Sequence, residues 1–156
     1  MWRVLCLLLL LACAGWRDAG AATPRAVDVE AALSLPEELR GMLPAEVLDR
    51  AADDAIRMQR LVDFMIADEG LALRYQEQPT HGIAESFALR RVNCLSFTMM
   101  FIAMARASGL AAYAQAPDDA LAMRVLDDTL YRATHVNAGI QAAGARYTVD
   151  VGWQAI

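Results

Sequence analysis

The chain is short of positive charge. Its 14 Lys and Arg residues stand against 19 Asp and Glu residues, for a formal net charge of −5. Nucleic-acid binding needs basic side chains clustered against phosphates, so the balance excludes that class. No run of like charge is long enough to form an interaction tail. Internal repeats are absent, as are low-complexity tracts beyond an enrichment in alanine. No apolar run reaches the ~20 residues of a transmembrane helix. Histidine and cysteine are scarce, with two and three copies in 156 residues. What is plentiful is apolar: 57 % of the chain, enough for a sizeable core in the one domain that this length accommodates.

Part of that apolar content lies at the very start. Met1-Trp2-Arg3 carries one positive charge, and an unbroken apolar stretch follows over 4–14. About ten such residues match the ~7–15 of a secretory signal core. The chain is therefore expected to be exported, to a cell envelope or periplasm. Two processing sites compete. Leu10-Leu11-Ala12-Cys13 resembles a bacterial lipobox, although Leu11 is a less usual residue at its place, and would leave Cys13 as a lipidated N-terminus. Ala19-Gly20-Ala21 offers the small residues of an ordinary signal peptidase site, crowded by Arg17 and Asp18. Either way, residues 1–21 hold the signal and the start of a linker. Any membrane association is expected through a lipid anchor only.

The cysteines then separate. Cys6 lies inside the signal core, and Cys13 is lipidated or removed, which leaves Cys94 as the thiol of the mature domain. An exported chain with one thiol has no disulfide framework, and the leftover thiol is a candidate for reactivity.

Residues 19–35 are Ala-rich and weakly patterned, and 22–43 read as a linker, with one helical turn at 36–40 ended by Gly41. Residues 44–156 read as a domain of the α+β class, with N-terminal helices and a Cys-bearing helix packed on a small antiparallel sheet. The clearest helix is expected over 44–67. Pro44 suits its first position, and Val47, Leu48, Ala51, Ala55, Met58, Leu61, Val62, Met65 and Ile66 recur every three to four residues. A short extended piece is expected at 71–75. A short helix at 82–90 follows, capped by Thr80, with Ile83, Phe87 and Ala88 facing inward. An apolar helix begins at Cys94 and ends at Gly109. Then come a strand at 110–115, a polar loop over 116–130 with a helical turn at 121–125, and strands at 134–140 and 146–151 joined by an Ala143-Gly144 turn.

Three residues in this frame carry chemistry. Asn93 is a helix-capping residue that places Cys94 in the first turn, where the N–H groups of the helix start stabilise a thiolate. Its bland alternative is an inert cysteine in an apolar helix. His135 lies in an alternating segment, on the face opposite Val136, Ala138 and Ile140, and its bland alternative is a satisfied strand histidine. His81, among polar loop residues, reads as an ordinary surface histidine. Asp150 sits between apolar strand residues, where a carboxylate costs energy unless paired. Pairing with His135 across the hairpin removes that cost and orients the imidazole. A strand-end acid in solvent is its bland alternative.

The segments Asn93-Cys94-Leu95-Ser96-Phe97, the apolar stretch 99–110, Thr134-His135-Val136-Asn137 and Val149-Asp150 resemble the transglutaminase-like superfamily, and in particular its exported bacterial branch. These are papain-like cysteine enzymes with Cys at a helix start and His and Asp on adjacent strands. The resemblance implies a Cys94 nucleophile, a His135 general base and acid, and an orienting Asp150 carboxylate. It implies acyl transfer by a peptidase, amidase or transamidase acting on a protein or peptide. The backbone N–H of Cys94 would be the first oxyanion donor, with a second from 75–78. Val92 departs from the Gly or small residue common near the Cys. The family's later strands would follow Asp150, so the expected core is truncated at its C-terminus and completed by helical repeats or a partner protein. No cofactor is implied, and Asp118-Asp119 and Asp127-Asp128 lack the spacing of a calcium loop. Two other classes compete: a binding module that keeps the fold without the catalysis, in envelope protein assembly, and a structural lipoprotein.

Overall fold

A computed structural model describes residues 31, 33–117, 121–126 and 129–151. The expected signal segment, its two candidate processing sites with Cys13, the first part of the expected linker, Asp118-Asp119 and Asp127-Asp128 lie outside the described residues. The fold is α+β, with helices on a three-stranded antiparallel sheet and two smaller two-stranded sheets.

Helix α1 spans Glu37–Leu43. It runs through Gly41 where one turn ending there was expected. Leu39 and Leu43, one turn apart, are 0 % and 2 % exposed. Their burial outweighs the ~1 kcal/mol that glycine costs inside a helix. With Leu35 also buried, three leucines of the segment 35–43 belong to the core.

The helix expected over 44–67 is two elements. A wide turn at Pro44–Leu48 closes with the Asp49 N–H donating to Pro44 O at 2.9 Å. Helix α2 then starts afresh at Asp54–Ile66, because the Asp53 side chain accepts from the Ile56 N–H at 2.8 Å and caps it. Leu61, Phe64 and Met65 carry the buried face of α2, whereas Ile66, expected in the stripe, is 43 % exposed. After α2 the chain doubles back, and the Leu71 N–H donates to Phe64 O at 2.7 Å.

Strand β1 (Arg74–Tyr75) pairs in parallel with β2 (Arg91–Val92). Between them lies helix α3 (Ile83–Leu89), whose buried residues are Ile83, Ser86 and Phe87. Ala88 is exposed. Thr80 makes no cap there: Gly82 occupies the N-cap without a side-chain bond.

Helix α4 (Cys94–Ala107) is the centre of the molecule. Apolar on nearly every side, it needs cover from several sides. Phe97, Met100, Phe101 and Met104 are each at most 2 % exposed, and the Phe97 and Phe101 rings stack at 6.5 Å. Helices α1, α2 and α3 pack against it, and so do two strands of the main sheet. It ends at Ser108 with Gly109 at φ +80°, as the sequence predicts.

The main sheet has the order β3 (Ala111–Gln115), β6 (Asn137–Ala142), β7 (Ala145–Val149), all antiparallel. The β6–β7 hairpin turns at Ala143 and Gly144, both with positive φ, as a two-residue turn of this twist requires. The segment expected as a loop with one helical turn is a hairpin instead, β4 (Leu121–Leu126) with β5 (Thr129–Thr134). Pairing partners six residues long on each side outweigh the polar composition that suggested a loop.

Candidate active site

The site begins with a cap. Asn93 is extended at φ −105°, ψ −173°, and its Oδ1 accepts from the Ser96 N–H at 2.9 Å. That bond makes Cys94 the first residue of α4, where a backbone N–H has no acceptor within the helix. The thiol is free and half-buried.

His135 and Asp150 meet at the open end of the β6–β7 hairpin. His135 lies two residues before β6, in the connection from β5 rather than within the expected strand. Asp150 lies one residue past β7. The register pairs Ala138 with Val149, so Asn137 and Asp150 come next, opposite one another. His135 precedes Asn137 by two residues, in the connection that enters β6. The result is a contact of 2.6 Å between His135 Nε2 and Asp150 Oδ2. The two side chains are only 26 % and 18 % exposed, so the pair is partly withdrawn from water. Asn137, 5 % exposed, adds an Nδ2 donation to the same Asp150 oxygen at 3.5 Å.

One hydrogen bond ties the two halves of the site together. Thr98 lies one helical turn after Cys94, on the same face of α4. Its hydroxyl donates to Val136 O at 3.3 Å, beside His135. The helix face that carries the thiol therefore faces the segment that carries the imidazole.

His81 is not the surface histidine that its loop suggested. It is 8 % exposed, its Nδ1 lies 3.0 Å from Glu85 Oε2, and its backbone is bonded to Ser96. Sequence reasoning also missed Asn137 and the further contacts of Asn93. For Asn93 a signal existed: asparagine is the capping residue that brings an N–H donor as well as an oxygen. Among the described residues, no group of three His, Cys, Asp or Glu side chains is arranged to hold a metal ion.

Against this geometry stands one structural likeness, to a protein from Parabacteroides distasonis described as a "putative protease". The two superpose with a TM-score of 0.54 over 80 % of this chain and 25 % of the other, at 11 % identity. This likeness is one of fold. The chain spans about a quarter of that protein's length. Neither the protein-family models nor the curated proteins match the sequence.

Proposed function

We propose that the protein is a cysteine-dependent acyl-transfer enzyme with a transglutaminase-like core, acting on amide or ester bonds of a protein or peptide. The observation that carries this reading is the 2.6 Å contact of His135 Nε2 with Asp150 Oδ2. A carboxylate on Nε2 holds that nitrogen as the protonated one, fixes the ring, and leaves Nδ1 as the base. Thr98 and Val136 hold the Cys94 helix against this segment. The fold's likeness to a protein described as a protease supports the same reading.

The steps balance without a cofactor. His135 Nδ1 takes the Cys94 proton as the sulfur bonds to the substrate carbonyl carbon. The Cys94 backbone N–H, at the helix start, is the first donor to the oxyanion. The C–N bond then breaks, and the imidazolium returns its proton to the leaving amine. Water, or an acceptor amine, next gives a proton to His135 while attacking the thioester. The thiol leaves, taking that proton back. The protein is exported in this proposal by a signal within residues 1–21, with Cys13 as its lipid anchor. Release of Cys13→Ser from the membrane fraction would support the anchor, and unchanged fractionation would overturn it.

The chemistry is tested with an electrophilic thiol probe. Cys94 should label faster than the same residue in an unfolded peptide, and Cys94→Ala should abolish both labelling and turnover. His135→Ala should slow labelling at neutral pH by about 10²–10⁴-fold, the usual contribution of a positioned base. Asp150→Asn should keep most labelling and lose most turnover. Wild-type labelling no faster than the peptide, unchanged in His135→Ala, would leave a binding module as the better account.

A further inference from the structure

Asn93 does more than begin a helix. While its Oδ1 caps α4, its Nδ2 points away from the helix and donates to Thr80 Oγ1 at 2.7 Å and to Glu77 O at 3.2 Å. One turn further on, the Ser96 hydroxyl is fully buried. It accepts from the His81 N–H at 3.0 Å and donates to His81 O at 2.7 Å. Four hydrogen bonds thus fasten the segment 77–81 onto the first turn of the helix that carries Cys94. At its near end the Gln76 N–H donates to Val92 O at 2.8 Å, so this segment enters the site straight from the β1–β2 pair.

A cap alone does not require asparagine. Asp, Ser and Thr supply the same acceptor. Asp has no hydrogen to donate, and a hydroxyl has one, whereas the Asn amide has two beside its oxygen. Residue 93 therefore uses the one common capping side chain that can hold the helix start with one atom and a neighbouring segment with another. The segment held is backbone-rich, and the thiol lies at the helix end that it borders. Such a wall suits an extended, peptide-like acyl group better than a compact one.

We propose that Asn93 is a positioning residue. It fastens 77–81 as the wall beside Cys94 against which the acyl part of a peptide-like substrate lies. The proposal rests on the acyl-transfer reading above. Asn93 touches neither substrate nor reacting atoms in this role; it acts through the wall.

Asn93→Asp separates the two roles, because it keeps a capping oxygen and removes both donations. Three readouts are taken together: amide hydrogen exchange of 77–81, turnover of an aryl ester of a short peptide, and iodoacetamide labelling of Cys94. Exchange in 77–81 should rise about tenfold or more, as a fastened segment comes loose. The ester's kcat should fall about tenfold or more with KM changed far less, since a misplaced acyl group binds without aligning. Labelling, read at a pH high enough to ionise the thiol in both proteins because the new carboxylate disfavours the thiolate, should stay within about twofold, since the capped helix start is kept. Thr80→Val, at an exposed position, removes one of the anchors and should move the same readouts less, which keeps the test open if Asn93→Asp does not fold. Unchanged exchange overturns the proposal, as does looser exchange with unchanged kcat. A fall in kcat matched by an equal fall in labelling also overturns it, since Asn93 would then act on the thiol through the cap. Absence of both ester turnover and rapid labelling in the wild type defeats the acyl-transfer reading itself. The positioning role falls with it, and the exchange data still report separately whether Asn93 fastens the segment.

Discussion

Asp150 illustrates how far single residues could be read from the sequence. An acid among apolar strand residues has to find a partner, and His135, across the expected hairpin, was the natural one. The contact is present at 2.6 Å. Cys94 at a helix start was equally legible, because Asn93 is a capping type directly before an apolar stretch. His81 was not legible. Its burial depends on Ser96, 15 residues away, and local polarity says nothing of such a bond. Two glycines show the same limit and give a prediction. A Cβ on Gly70 would lie 2.1 Å from the backbone oxygen of Phe64, whose position α2 fixes. A Cβ on Gly139 would lie 2.5 Å from the Tyr113 ring and 2.8 Å from the Gln115 side chain, both of which can swing away. Gly70→Ala should therefore lose about 1–3 kcal/mol or more in urea unfolding, the range of backbone-shifting overpacking. Gly139→Ala should lose clearly less. Equal losses would show that the turn after α2 yields as readily as a side chain.

At the scale of elements, periodicity located apolar faces better than it located ends. The stripe over 44–67 was real, with Val47, Leu61 and Met65 all at 0 % exposure, but it crosses a break at 49–53. The same apolar spacing resumes after the break, so the pattern could not reveal it. The signal that could have done so is Asp53 itself, a capping type three residues before Ile56. The β4–β5 hairpin was missed for a different reason. Leu121-Ala122-Met123-Arg124-Val125-Leu126 has no clean alternation, and its strand character comes from pairing with Thr129–Thr134 rather than from its own residues. The break in the helix expected over 44–67 carries its own prediction. Asp53→Ala should destabilise the protein by about 0.5–2 kcal/mol, the usual cost of losing an N-cap. Asp49→Ala, at the start of the break, should cost clearly less. Thermal melts of the two variants decide it; an equal effect would mean that the Asp53 bond to Ile56 does not define the start of α2.

For the whole molecule, the class was legible because the apolar helix at 94–107 could only be a central one, covered from several sides. What was not legible is where the core begins. Residues 22–43 looked like a linker because alanine-rich sequence with isolated leucines has too little periodicity to define a face. Three of those leucines nevertheless fill the core: Leu35, Leu39 and Leu43 are 7 %, 0 % and 2 % exposed. Each buried Leu is worth about 2–5 kcal/mol on truncation to Ala. Three together, about 6–15 kcal/mol, are comparable to the whole ~5–15 kcal/mol by which a domain of this kind is stable. A chain beginning at residue 34 should therefore melt cooperatively, and one beginning at Pro44 should not. The second chain lacks α1 and leaves that side of α4 bare, so it should bind a hydrophobic dye and show no sharp near-ultraviolet dichroism. Triple replacement of Leu35, Leu39 and Leu43 by Ala in the longer chain should reproduce the defect, which assigns it to the lost apolar contacts rather than to the new terminus. Cooperative melting of the chain from Pro44, within a few degrees of the longer one, would show that residues 35–43 are dispensable and leave the core centred on α2, α4 and the sheet.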